Sequence, residues 1–144
     1  FASFFAEFLG FSLIGDAFHL AVRSQVGAMT DAQPQHRFHL GGLDLVRGYS
    51  DNFVRTTAFA LANVEFRVVA FDSMFLAILP TVFVDAAVTR PEPNAPSVMA
   101  SIGAGVRIII PRLVRSGIRI DAALPLTVPW GQAQVLSTGV YQFF

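Results

Sequence analysis

Between Arg55 and Ala70 every second side chain is apolar: Ala58, Ala60, Ala62, Val64, Phe66, Val68 and Ala70. Thr57, Asn63, Glu65 and Arg67 fill the alternate positions, with Phe59 and Leu61 as exceptions. A period of two sends successive side chains to opposite faces, so this stretch is a β-strand with one apolar and one polar face. The pattern recurs over Ala2–Phe8, Phe18 to about Met29, Leu76–Thr89, Val98 to about Ile110, Ile118–Leu126 and Val135–Phe144. Glu65, Arg67, Asp85, Arg107, Arg119 and Asp121 all stand opposite the apolar row of their own strand. Seven strands sorted in this way constrain the fold more than any other feature.

Two architectures alternate like this: a soluble β-sandwich, which would be a binding module, and a transmembrane β-barrel. Composition separates them. Hydrophobic residues make up 53% of the chain and charged ones 14%, against about 25% charged in an average soluble domain. No run of ~18 apolar residues is present, so no transmembrane helix is expected. The richest stretch, Phe75 to Ala87, is interrupted by Pro80, Thr81 and Asp85. A sandwich would solvate its outer face with Lys, Glu and Thr, whereas the polar faces here are padded with Gly, Ala and Ser. An arginine facing lipid at mid-bilayer costs ~2–4 kcal/mol, which is why a barrel must sort its charges. Connection lengths agree. The turns near 14–17 and 71–74 are short and those near 30–54 and 90–97 long, as in outer-membrane barrels; the contrast is weaker between 111–117 and 128–134.

The expected fold is therefore all-β, an antiparallel transmembrane β-barrel, with the whole of 1–144 as one part of it. Seven strands do not close a barrel of even strand number, and open edges in lipid leave backbone groups unsatisfied. Preceding strands, or other chains, must complete the ring. The opening FASFFAEFLGFSL has no basic region and no cleavage site, and we read it as beginning mid-protein.

Other chemistries find little support. The formal net charge is zero, which gives no electrostatic handle for a nucleic-acid partner. Cysteine is absent, which removes disulfides and thiolate chemistry. His19, His36 and His39 lack metal-site spacing. Gly41-Gly42 is followed by neither Gly-Lys-Ser/Thr nor a helix, and Ser101 and Ser137 stand in no Gly-x-Ser-x-Gly context. Neither a cofactor nor an enzymatic activity is expected of these residues.

One stretch escapes the alternation: His39–Asn52, HLGGLDLVRGYSDN, where glycine, charge and aromatics crowd together. Its Gly41-Gly42 pair, short spacer and Val46-Arg47-Gly48-Tyr49 resemble the sixth-loop signature of the BamA superfamily of outer-membrane assembly and secretion barrels. Three further segments are similar to that family in the expected order. They are Asn63-Val64-Glu65-Phe66-Arg67, Val82-Phe83-Val84-Asp85-Ala86 (with Ala87 where Gly is common) and Ile118–Leu126. The terminal Phe144 fits as well.

The resemblance implies a sixteen-stranded barrel, of which these are the C-terminal seven strands, in the outer membrane of a Gram-negative bacterium. It implies that the loop folds into the lumen and that Arg47 pairs with Glu65 and Asp85. Gly48 would allow close backbone approach and Tyr49 would pack on the wall. The last strand, with Gly139, Tyr141, Phe143 and Phe144, resembles the signal by which such barrels are recognised for insertion; we place Val135, Gly139, Tyr141 and Phe143 outward. The implied partners are outer-membrane lipid, unfolded outer-membrane or secreted polypeptides, and accessory assembly proteins. A barrel anchoring a fused enzyme, such as a patatin-like lipase, is the alternative.

Overall fold

Alternation places the strands, and the load on each face decides what they carry. The computed structural model describes residues 2–30, 36–91, 96–111, 116–128 and 133–142. Seven long strands form one antiparallel sheet: β1 (Ser3–Ile14), β2 (Phe18–Met29), β6 (Ala58–Val68), β8 (Ala77–Thr89), β9 (Val98–Ile110), β10 (Ser116–Pro125) and β12 (Leu136–Gln142), neighbours in that order. Short β7 (Phe71–Asp72) adds to β8. The sheet is not closed, and β1 and β12 form its two edges. β1 leads to β2, β6 to β8 and β9 to β10 at one end of the sheet, and β2 to β6, β8 to β9 and β10 to β12 at the other.

One face is bare and apolar. Val26, Val64, Val82, Val84, Val88, Ile102, Ile118, Ile120, Leu124 and Val140 are all exposed there. The other face is covered by the long connection between β2 and β6, and its side chains run in rows across the ladder. Gly27, Phe59 and Thr89 form the row nearest the long connections, followed by Leu61, Ala87 and Met99. Next come Asn63, Asp85 and Ser101, then Glu65, Phe83, Gly103 and Ala123. Arg67, Thr81, Gly105, Asp121 and Ser137 follow, and then Leu79, Arg107, Arg119 and Gly139.

The connection itself is more ordered than the plain loop expected over 30–53. It holds β3 (Phe38–Leu40), β4 (Gly48–Tyr49) and β5 (Val54–Thr56); β3 pairs with β5, and β4 with β11 (Ala133–Gln134). Leu40, Val46, Tyr49 and Val54 from the connection pack with Phe59, Leu61, Ala87 and Met99 from the sheet into one buried cluster. Phe59 and Leu61, which broke the alternation of their strand, are thus the contribution of β6 to this core. Phe38 and Phe59 meet edge to face, with centroids 5.0 Å apart. The strand expected from Arg55 onward is broken at Thr57, because Thr56 Oγ1 bonds locally to Ala58, donating to its carbonyl at 2.9 Å and accepting from its N–H at 3.3 Å.

Two further findings depart from the sequence-based expectation. In β12 the faces are reversed. Leu136, Thr138 and Val140 lie on the bare face, exposed, while Ser137 is buried and Gly139 is partly covered. The ladder forces this, since Asp121 pairs with Ser137 and Arg119 with Gly139. β1 is apolar on both faces, with Phe5, Leu9, Phe11 and Leu13 exposed on the side opposite Phe4 and Phe8.

Burial of Phe59 between loop and sheet predicts that Phe59→Ala costs about 3–5 kcal/mol. Equilibrium unfolding should show a smaller loss for Phe66→Ala, whose ring lies on the bare side.

Candidate functional site

Three left-handed glycines shape the loop. Gly41 and Gly42 have φ of 111° and 92°, a region that side chains rarely adopt. A Cβ on Gly41 would overlap Ser50 O, and one on Gly42 would overlap the Asp51 carboxylate. The two arms of the loop therefore close here, tied by Gly42 N–H donating to Tyr49 O at 3.0 Å, and residues 43–47 are presented as a tip. Gly48, with φ 88°, lies on β10: a Cβ would stand 3.2 Å from Pro125 N and 3.3 Å from Ala123 Cβ. Tyr49, 1% exposed, locks this seating. Its hydroxyl donates to Ala100 O at 2.8 Å and accepts from Ala100 N–H at 3.1 Å and from Thr127 Oγ1 at 2.7 Å.

Arg47 is carried inward between these restraints. Its Nε and Nη2 form a fork on Asp85, reaching Oδ2 and Oδ1 at 2.7 Å each, and its backbone N–H adds a third bond to Oδ2 at 3.0 Å. Asn63 Nδ2 donates to Asp85 Oδ1 at 2.9 Å and to Leu45 O at 2.7 Å. Asp85, fully buried, thus accepts four hydrogen bonds, the full complement of a carboxylate. Arg47 Nη1 donates to Glu65 Oε2 at 2.8 Å. The guanidinium plane lies over Phe83, its Cζ 3.4 Å from the ring centroid, an attraction that strengthens when water is excluded.

The cluster extends beyond the three residues named from the sequence. Arg107 Nη2 also donates to Glu65 Oε2, at 3.0 Å, and its Nη1 reaches Asp121 Oδ1 at 2.5 Å. Arg67 Nε takes the other Glu65 oxygen at 2.7 Å. Asp121 Oδ2 stands 3.6 Å from Arg47 Nη1. Three guanidinium groups therefore face three carboxylates in one connected array, and Arg119 Nε adjoins it, 3.9 Å from Asp121 Oδ2. Sequence reasoning placed Arg107 and Asp121 on this face but did not assign them to Arg47. The signal that could have found Phe83 was its position as the aromatic exception among Thr81, Asp85 and Thr89. The glycines of β9 make room for their neighbours. A Cβ at Gly103 would overlap the Phe83 ring, and one at Gly105 would overlap the Asp121 carboxylate.

Among the described residues no group of three or more His, Cys, Asp or Glu side chains is placed to hold a metal ion. Every carboxylate of the cluster is engaged by guanidinium donors, so the arrangement clamps a loop. Of the last-strand residues, Gly139 faces inward, against the outward placement expected for it. The Tyr141 side chain, Phe143 and Phe144 lie outside the described residues.

An antiparallel sheet with a bare apolar face, and a folded-in, arginine-anchored loop on the other, is the wall of a transmembrane β-barrel. The chain belongs to the Omp85 superfamily, whose domain matches residues 2–144. This agrees with the resemblance to the BamA superfamily, and Omp85 superfamily proteins are outer-membrane proteins of Gram-negative bacteria. Neither a curated protein nor a solved structure gives a significant match.

Because Gly105 leaves the space that Asp121 occupies, Gly105→Val should displace that carboxylate and cost about 1–3 kcal/mol by overpacking. Ala104→Val, on the bare face, should be close to neutral in the same unfolding measurement.

Proposed function

We propose that this chain is part of an outer-membrane barrel that assists the insertion of outer-membrane proteins or the translocation of polypeptides. The family match supports the general role, and the Arg47 clasp is the observation that carries the finer reading. A loop held by a buried fork on Asp85 and a bond to Glu65 is a lumenal plug of fixed position. It keeps the wall in a working geometry, and its part is structural rather than catalytic.

The work is non-covalent and needs no cofactor. The backbone groups along β12, the last strand of the described sheet, can template an incoming strand. Further strands, from elsewhere in the protein or from other chains, complete the ring. The partners are lipid, unfolded outer-membrane or secreted polypeptides, and accessory assembly proteins.

Removing the guanidinium leaves the buried Asp85 without its cation and Glu65 with two of its three, a loss of about 3–5 kcal/mol for a buried pair. The sheet ladders do not depend on it. In the intact protein, Arg47→Ala should give a barrel that still shifts on heating in a denaturing gel, with assembly or secretion strongly reduced. Arg47→Lys should fall between, since an ammonium cannot form the planar fork. Wild-type activity in Arg47→Ala would overturn the proposed role.

The membrane placement has its own test. Val84→Arg on the bare face should cost ~2–4 kcal/mol if that face meets the bilayer interior, measured by unfolding from lipid vesicles. A negligible cost would argue for water at that face.

A further inference from the structure

Arg47 grips β6 and β8, in the middle of the sheet. The loop tip ahead of it, Leu43-Asp44, reaches instead toward the flanks. From β2, Arg23 Nη1 donates to Asp44 O at 2.6 Å. From β10, Arg119 Nη2 donates to the Leu43 carbonyl and to Asp44 Oδ1, the latter at 2.9 Å. Strands β6, β8 and β9 lie between these two arginines. At about 4.8 Å per strand the two backbones would be roughly 19 Å apart along a flat sheet, yet both side chains end on one residue.

The contacts continue to both edges. Glu7 of β1 accepts from Arg23 Nε at 2.7 Å and from Gln25 Nε2 at 2.9 Å, so the edge strand holds the arginine that holds the tip. On the opposite edge, Leu43 occupies the space over Gly139 of β12, where a Cβ would stand 2.6 Å from Leu43 Cδ2.

We propose that Asp44, Arg23 and Arg119 are positioning residues of a second clasp, through which the loop tip ties β2 to β10 across the lumen and couples its own seating to the flanking strands β1 and β12. The two clasps differ in strength by construction. Asp85 is fully buried, whereas the Asp44 side chain is 83% exposed and the Arg23 and Glu7 side chains are each 32% exposed. Exposed pairs are weak and screened by salt. The tip can therefore release while Arg47 stays bound, loosening the flanks without withdrawing the loop. Its biological meaning rests on the loop being the lumenal plug of a transport barrel, but the spacing it sets can be read without transport.

The chain has no cysteine of its own, so spin labels can be placed at Val22→Cys on β2 and Ile120→Cys on β10 of the intact protein in lipid. Electron–electron distance measurements should give a narrow main population and a minor, wider one. Arg23→Gln should raise the wider population by up to about fivefold, the range open to an exposed pair, and Arg119→Gln, at a side chain 20% exposed, by at least as much. If both act through Asp44, the double variant should change it by less than the product of the single effects. Asp44→Asn, altering only an exposed carboxylate, poses little risk to folding and should reproduce part of the Arg119→Gln effect, since Arg119 also donates to the Leu43 carbonyl. Raising salt from about 0.05 to 0.5 M should mimic the variants in the parent protein. A distribution that neither Asp44→Asn nor salt moves would overturn the clasp, as would effects that multiply independently. A moved distribution with unaltered transport would instead keep the clasp and remove the transport reading.

Discussion

A guanidinium taken out of water must be met by opposite charge and by acceptors for its donors, and the structure answers that demand for Arg47. Burying an ion costs several kcal/mol, recovered only by good geometry and full hydrogen bonding. Asp85 supplies the fork, Glu65 the third arm and Phe83 the face. Each of these then makes demands of its own. Glu65 is shared with Arg67 and Arg107, Arg107 requires Asp121, Asp121 requires the bare Cα of Gly105, and Phe83 requires that of Gly103. The small residues on this face are the negative image of the cluster.

That dependence explains which features could be read from the sequence. Strands β2 and β9 lie where alternation put them, over Phe18–Met29 and Val98–Ile110, because one face of each is apolar, unbroken in β9 and interrupted only at Ser24 in β2. The meeting of Arg47 with Glu65 and Asp85 was implied by the loop's resemblance to the BamA superfamily, and the two carboxylates lying on one side of adjacent strands agreed with it. The last strand was less legible. Ser137, Gly139 and Tyr141 alternate with Leu136, Thr138 and Val140, so neither set is distinctly apolar. Its orientation is fixed by register with Asp121 and by the room Leu43 needs over Gly139, and both are tertiary facts. The second grip on the loop tip left still less trace, since two of its acceptors are the backbone carbonyls of Leu43 and Asp44, which no side-chain pattern encodes.

The apparent exceptions in the alternation mark where the sheet meets something other than solvent or lipid. Phe59 and Leu61 would be misplaced on a water-filled wall. With Ala87 and Met99, and against Leu40, Val46, Tyr49 and Val54, they become half of a small core. A barrel wall inverts the usual arrangement by presenting its apolar residues outward, and the folded-in loop restores a conventional interior over one end of the sheet.

The position of that core also bears on the ion cluster. Leu61, Ala87 and Met99 occupy the row immediately toward the long connections from Asn63, Asp85 and Ser101, and with the loop residues they form an apolar lid between the charges and that end of the barrel. Coulomb attraction and hydrogen bonds strengthen as the local dielectric falls. The lid therefore does more than fasten the loop: by excluding water from one side of Asp85 it raises the strength of the fork that holds Arg47. Packing and charge are coupled here. The apolar contacts seat the loop deeply enough for the guanidinium to be desolvated, and the desolvated guanidinium makes withdrawal of those contacts costly.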